Sequence, residues 1–477
     1  MKLKNNNNHL RIPQWFTIEI VGVGIRRVKF LLLVIAVFSC TDFVEVDPPK
    51  NTLISATVFE DPATVKSALA NIYYNMREQG MVSGNFGLSV LMGIYTDELD
   101  YYGLTSSNVE FFNHNITPSN SLILSWWNQA YSLIYAANDI IKGVDNSTTL
   151  TWEDQAQFKG QALFVRGYLH SLLVGLFGDV PYITTTNYLE NNIAVRMPVN
   201  LVYEHIITDI TDAVSLLNSN DLSGERVLPN QSVAKALLAR MYLYTNNWEQ
   251  AELTSSELIN SYSLEPDINT VFKNNSSETL WQFKPNGISH LNTYEANQLV
   301  IRFIPGQSYA LSDALWNAFE PHDLRLLNWI GSESSSDGLT TLHYANKYKA
   351  LFNETVSIEY SIIFRLTEQY LIRAEARAHL GDVFGAQSDL NRIRNRAGLS
   401  NTMAATQTDL LDAILQERQL ELFSEHGQRW FDIKRLDRAE DVLSPIKINW
   451  QISHMQLPIP DTELELNPNL KPQNPGY

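Results

Sequence analysis

"ALLARMYLYTNNWEQA" (236–251) and "LIRAEARAHLGDVFGA" (371–386) align without a gap, Ala239 falling on Ala374 and Ala251 on Ala386. Each reads as the end of one helix, a short Asn-Asn or Gly-Asp turn and the start of a second helix. Alanines at matching places let neighbouring helices approach closely, so they are read as packing residues. "GYLHSLLVGLFGDV" (167–180) carries the same Gly-Asp-Val turn as 381–383. The repeats are degenerate and far apart, which predicts a helical scaffold broken by insertions instead of a regular solenoid.

The pattern is tetratricopeptide-like and the expected class is mainly α, with residues 57–477 forming one domain. Asp61-Pro62 is an N-cap followed by proline at the first helical position. Val65, Ala68, Leu69, Ile72, Tyr73 and Met76 then recur at helical spacing. Further amphipathic helices are expected at 121–144, 155–177 and 199–217, the last with a stripe of Val202, Ile206, Ile210, Ala213 and Leu217. From about 264 to 360 helical periodicity gives way to Ser, Asn, Gly and aromatics. There "ETLWQFKP" (278–285) reads as an alternating strand and "GSESSSDG" (331–338) as loop. The insertion is expected to hold short β-strands and long loops, where binding groups are placed on a rigid frame.

Near the N-terminus, "FLLLVIAVFSC" (30–40) follows Arg26, Arg27 and Lys29 and ends at the one cysteine of the chain. Crossing a bilayer takes roughly 20 apolar residues; Phe30 to Phe38 is too short. A basic stretch, a short apolar run and a small residue describe a secretory signal. Ser39 directly before cysteine looks like a bacterial lipobox, so residues 1–39 are read as a signal peptide and Cys40 as the lipidation point. A lone cysteine in an exported protein cannot form an internal disulfide. The Asn-rich first 24 residues fit poorly before such a signal, and the functional start is expected near Ile25 or Val28. "CTDFVEVDPPKN" then opens an acidic tether, 40–56.

Loss of residues 1–39 would remove six basic residues and one acidic one, moving the net charge from −17 to −22. Nucleic acid is therefore not expected as a partner, because phosphate binding needs a basic stripe. No phosphate-loop, nucleophile-elbow or HExxH motif occurs, and the ten histidines lack ligand spacing. No metal centre or cofactor is expected, although the sequence leaves a structural Ca²⁺ open.

"QERQLELFSEHGQRWFDIKR" (416–435) places Glu417, Glu421 and Glu425 four apart, as on one helix face, where like charges repel. They need cations, and Arg418, Arg429 and Arg435 are the nearby ones. This stretch, "LFGDVPY" (176–182) and the closing "LPIPDTELELNPNLKPQNPGY" (457–477) resemble the SusD/RagB family of nutrient-binding outer-membrane lipoproteins. "FEDPATVKSALANIYYNM" (59–76), the lipobox and the repeats agree, so the resemblance spans the whole mature chain. It implies a tetratricopeptide-like half supporting a more irregular half. It also implies a lipid-anchored protein at the surface of the outer membrane, acting as a lid over a SusC-like TonB-dependent transporter and capturing glycans or other nutrients.

Sugars stack their C–H faces on aromatic rings and pair their hydroxyls with planar polar groups. Two stretches offer both. "YTDELDYYGLTSSNVEFF" (95–112), read as a loop, supplies Asp97, Asp100, Tyr101, Tyr102, Asn108, Phe111 and Phe112, and the resemblance implies that the family's ligand platform uses the loop after its "DE" pair. "SYALSDALWNAFEPHDLRLLNWI" (308–330) supplies Tyr309, Trp316, Arg325 and Trp329. Trp126, Trp127 and Trp430 are read as core. The expected protein is a non-catalytic glycan binder. A glycoside hydrolase using a carboxylate pair, a peptide-binding relative and a pure interaction scaffold are the competing classes.

Overall fold

A computed structural model describes residues 58–477. The signal segment, Cys40 and the tether lie outside these residues. The first helix, Pro62–Glu78, starts where the cap signal places it: the Asp61 carboxylate accepts from Ala63 N at 2.8 Å, and Val65, Leu69, Ile72, Tyr73 and Met76 are buried. Helices Ser121–Asn146 and Trp152–Phe177 are capped by the side chains of Asn120 and Thr151. From Gly160 to Phe177 every residue of the second is buried; apolar residues predominate, and the buried Gln161, Arg166, His170 and Ser171 are each hydrogen-bonded. It is held between Ser121–Asn146 and Val199–Leu216. Its glycines make this possible: a Cβ at Gly167 would stand 2.6 Å from Ile210, and one at Gly175 2.6 Å from Phe431.

The chain continues through Gln231–Tyr244 and Trp248–Ser261, leaves the scaffold, and returns as Leu366–His379, which packs directly on Trp248–Ser261. The two repeats recognised in the sequence are thus spatial neighbours. Ala239, Leu243, Ala251, Ile372 and Ala376 form one buried cluster, and Trp248 stacks on His379 at 3.9 Å. Arg240 grips Glu368 with two 2.7 Å bonds across the same junction. The two Gly-Asp-Val turns differ. Asp382 caps the helix Val383–Arg396, whereas after Gly178 the chain runs extended, Val180 bridging Met197.

The excursion carries short strands. Thr279–Phe283 pairs antiparallel with Ser361–Arg365, and Tyr309–Leu311 with Leu99–Tyr101. Two expectations are corrected. Thr279–Phe283 is buried at every position and does not alternate, because its polar Gln282 is satisfied by the carbonyls of Glu225 and Asn274. "GSESSSDG" is no loop: Ile330–Ser334 pairs with Thr341–Ala345 around an Asp337-Gly338 tip.

The excursion is locked to the scaffold by buried charge. Helix Gln407–Leu422 ends before Glu425, which sits in a turn with Ser424 and His426 at positive φ. The three glutamates do find cations, although not the neighbouring ones. Glu417 meets Arg325 at 2.6 Å; Glu421 meets Arg325, Arg365 and Arg396 at 3.1, 2.8 and 2.5 Å; Glu425 meets Arg365 at 2.8 Å and Lys347 at 2.6 Å. Glu278 joins Arg365 and Arg396. Arg418 goes instead to Asp432, Arg435 to Glu375 and Asp432, and Arg429 to Asp97.

Burial alone would raise the Glu421 carboxyl, but Arg396, Arg365 and Arg325 together hold it at about 2, below its ordinary 4.5. A depressed carboxylate stabilises the fold fully above its unfolded value and loses that contribution as pH falls through the folded one. Melting temperature should therefore drop as pH is lowered from about 4.5 toward 2. Glu421→Gln, which takes a shared carboxylate from three arginines that each keep another acidic partner, should cost about 1–3 kcal/mol at neutral pH and flatten that acid limb. Thermal melts of both proteins across the range check this.

Candidate functional site

The helix Leu88–Tyr95 leads into Thr96-Asp97-Glu98 and then the strand Leu99–Tyr101. Asp97 is buried and takes a two-pronged contact from Arg429 at 2.8 and 2.7 Å, with Gln419 at 3.0 Å. Glu98 beside it is also buried, and burial together with the Asp97 charge pushes its carboxyl up to about 8. The acidic pair thus ties the strand to the motif at 416–435. The Asp97 carboxylate is buried and held, so the strand that follows starts from a fixed point.

Pairing with Tyr309–Leu311 sets Tyr101 against Tyr309, rings 5.3 Å apart. Asn108 donates to the Tyr309 hydroxyl at 2.8 Å, and Tyr102 N extends the ladder to Ser308 O. The chain then doubles back: Thr105 N donates to the Tyr101 hydroxyl at 3.2 Å. Gly103 fits beneath that hydroxyl, where a Cβ would come within 2.4 Å. Tyr101 is left half-buried and Tyr102 46% exposed.

The second wall comes from the excursion. Ser312 caps the helix Asp313–Ala318 by accepting from Leu315 N at 3.1 Å, and its hydroxyl donates to Asp97 O. Trp316, half-buried, lies flat on His343, centroids 3.5 Å apart and planes 3° from parallel, and Ser332 Oγ meets His343 Nδ1 at 2.7 Å. Burial lowers the His343 pKa against the pull of Asp313, favouring the neutral ring in the stack on Trp316. Burial, then Asp100 and Asp313, raise the Tyr102 hydroxyl. The strand Tyr309–Leu311 packs against both Leu99–Tyr101 and Thr341–Ala345, which brings the two walls together. Tyr101, Tyr102, Trp316 and His343, with Asp100 and Asp313, form one patch of aromatic faces and acceptor oxygens.

Several residues expected at the ligand are elsewhere. Arg325 and Trp329 are fully buried: the guanidinium is consumed by Asp323, Glu417 and Glu421, and the indole N–H donates to Ile268 O at 2.9 Å. Asp97, Asn108, Phe111 and Tyr309 are also buried; Phe111 packs edge-on against Trp126, and Asn108 and Tyr309 brace Tyr101. The expected loop at 95–112 is strand, turn and the helix Ser106–Phe112. Trp126, Trp127 and Trp430 are core, as read. His343 was missed. Asp337-Gly338 is the signal that could have found it, since Asp-Gly favours a hairpin turn and the register of that hairpin places His343 opposite Ser332.

Among the described residues no helix is long and apolar enough to cross a membrane. The profile of a family described as "starch-binding associating with outer membrane" matches residues 42–243, and that of the SusD family matches residues 328–477. SusD-like protein P2 of Formosa agariphila is 27% identical, over 94% of this chain and 99% of that one. A SusD superfamily protein from Bacteroides vulgatus superposes with a TM-score of 0.79 at 20% identity, covering 88% of this chain and 99% of its own. Surface glycan-binding protein A from Bacteroides thetaiotaomicron, in complex with laminarihexaose, does so with 0.73 at 20% identity, covering 86% and 99%. A helical-repeat scaffold carrying a strand-and-loop excursion is the shared architecture. The chain belongs to the SusD/RagB family.

Asp97→Ala should cost about 3–5 kcal/mol of stability, because it leaves buried Arg429 without a partner. Urea unfolding measures this; a side chain that merely touched ligand would leave the midpoint unchanged.

Proposed function

We propose that this protein is a non-catalytic glycan-binding lipoprotein of the outer-membrane surface. In this reading Cys40 carries the lipid, 40–56 is a tether and 57–477 is one binding body. The body delivers captured oligosaccharide to a SusC-like TonB-dependent transporter. The observation that carries the glycan assignment is the patch of Tyr101, Tyr102, Trp316 and His343 flanked by Asp100 and Asp313. Flat apolar faces beside carboxylate acceptors are the complement of a sugar ring, which is apolar on its C–H faces and a donor at its hydroxyl edge. Family membership supports the same reading, as does the laminarihexaose bound by a structural neighbour.

Stacking on an open face desolvates little area per sugar, so affinity for a single unit is modest. That suits a protein which must release its cargo. The family resemblance supplies the transporter, and co-purification with an outer-membrane barrel tests it.

Tyr102→Ala and Trp316→Ala should each weaken retention of laminarin in affinity electrophoresis by about 3- to 10-fold, the worth of one aromatic stack. Tyr102 is exposed, so Tyr102→Ala should stay within about 0.5 kcal/mol of the parent, whereas Trp316→Ala also gives up its stack on His343 and should cost about 0.5–1.5 kcal/mol while leaving the protein folded. Retention unchanged in both variants, with the parent retained, removes the patch as the binding site. Incubation with the polysaccharide should release no new reducing ends; sustained release would establish a hydrolase instead.

A further inference from the structure

A cleft of about 650 Å³ opens between the helix Ser121–Asn146, the segment 181–192 and the C-terminal residues 463–470, and shares no residue with the patch just described. Its volume is typical of ligand pockets, roughly 300–1,000 Å³. Trp127, Asn128, Tyr131, Ser132 and Tyr135 line it from one face of the helix, a stretch of about 12 Å at 1.5 Å per residue, enough for two linked hexose rings.

The cleft is preformed. Trp127 is buried and wedged edge-on against Phe177 at 5.2 Å. The Tyr131 hydroxyl donates to Pro181 O at 2.9 Å, and Asn138 to Ile183 O at 3.0 Å. On the far side Asn467 and Asn469 donate to the carbonyls of Ala194 and Ile193 at 2.7 and 2.9 Å. Amide-to-carbonyl bonds thus pin the walls before any ligand arrives.

The groups left over point to the ligand. The side-chain polar atoms of Asn128, Ser132, Tyr135, Tyr188 and Asn192 have no hydrogen-bond partner among the described residues, and Tyr135 and Tyr188 are 47% and 66% exposed. Two open phenol rings with amides and a hydroxyl beside them match the alternating C–H faces and hydroxyl edges of a sugar chain. No lysine or arginine lines the cleft, and Glu463 is the one carboxylate there, so nothing in the lining would neutralise a sulfated or uronic-acid glycan. We propose that this cleft is a second binding site, selective for a neutral oligosaccharide. The class of ligand rests on the glycan-binding reading above, while the residues are independent of it. Two weak sites on one protein raise retention of a polymer without tight binding at either.

Titration calorimetry with laminarihexaose, maltohexaose and cellohexaose tests this on three proteins: parent, Tyr102→Ala/Trp316→Ala, and Tyr135→Ala/Tyr188→Ala. For at least one neutral hexamer, the cleft double variant should lose a binding event or weaken it at least tenfold, with an unchanged melting temperature. The patch double variant should keep that event. Binding unaltered in the cleft variant overturns the inference and leaves the patch reading standing. Binding lost only in the cleft variant supports the inference and displaces the patch. No binding of any hexamer to the parent overturns both. Capture of peptides from a casein digest, abolished in the cleft variant, would overturn the sugar assignment in favour of a peptide groove.

Discussion

A carboxylate taken out of water costs several kcal/mol unless cations and hydrogen bonds replace its hydration. Helix Gln407–Leu422 buries Glu417 and Glu421 one turn apart, with Glu425 just beyond its end. Their cations are supplied from four separate places: Arg325 and Lys347 on the excursion, Arg365 at the strand that closes it, and Arg396 at the end of a repeat helix. Satisfying these charges therefore requires excursion and scaffold to be docked in one register. Lys347 shows how tight the fit is. Burial pulls its ammonium down to about 8, and it is retained by Glu425 and by the carbonyls of Glu421 and Phe423, each at 2.6–2.8 Å.

The aromatic patch inherits its position from that docking. One wall is the strand fixed through Asp97 to Arg429; the other is the helix whose cap, Ser312, donates back to Asp97 O. Two segments 215 residues apart are thus referenced to one buried carboxylate and its backbone. On the proposed reading, a surface site built this way would keep its stacking faces in place without ligand, limiting the ordering entropy that weak sugar contacts have to overcome.

Local chemistry was legible in the sequence. The Asp61-Pro62 start, the alanine-marked repeats, the stripe at 199–217 and the core tryptophans all follow from spacing and capping. The need for cations around Glu417, Glu421 and Glu425 was also legible, because like charges so placed cannot be left alone. Their identity was not: Arg325 and Glu417 are 92 residues apart, and no local rule ranks a distant arginine above a neighbouring one. The same distance effect misplaced Arg325 and Trp329 at a ligand. Trp316 and Trp329 lie in one aromatic-rich segment, and only the helix Asp313–Ala318 and the hairpin after it decide which ring is left at the surface. Tyr135 and Tyr188, in turn, were indistinguishable from packing residues until the C-terminal segment closed a cleft over the helix between them.

Hydrogen–deuterium exchange on Arg325→Met tests the central claim most directly, since this change removes the excursion's deepest cation and keeps an apolar side chain of similar length. If buried charge docks the excursion, exchange should accelerate across residues 309–345 and at Leu99–Tyr101, while Gln231–Tyr244 and Trp248–Ser261 keep their protection. Unchanged protection over 309–345, or uniform loosening of the whole scaffold, would contradict it.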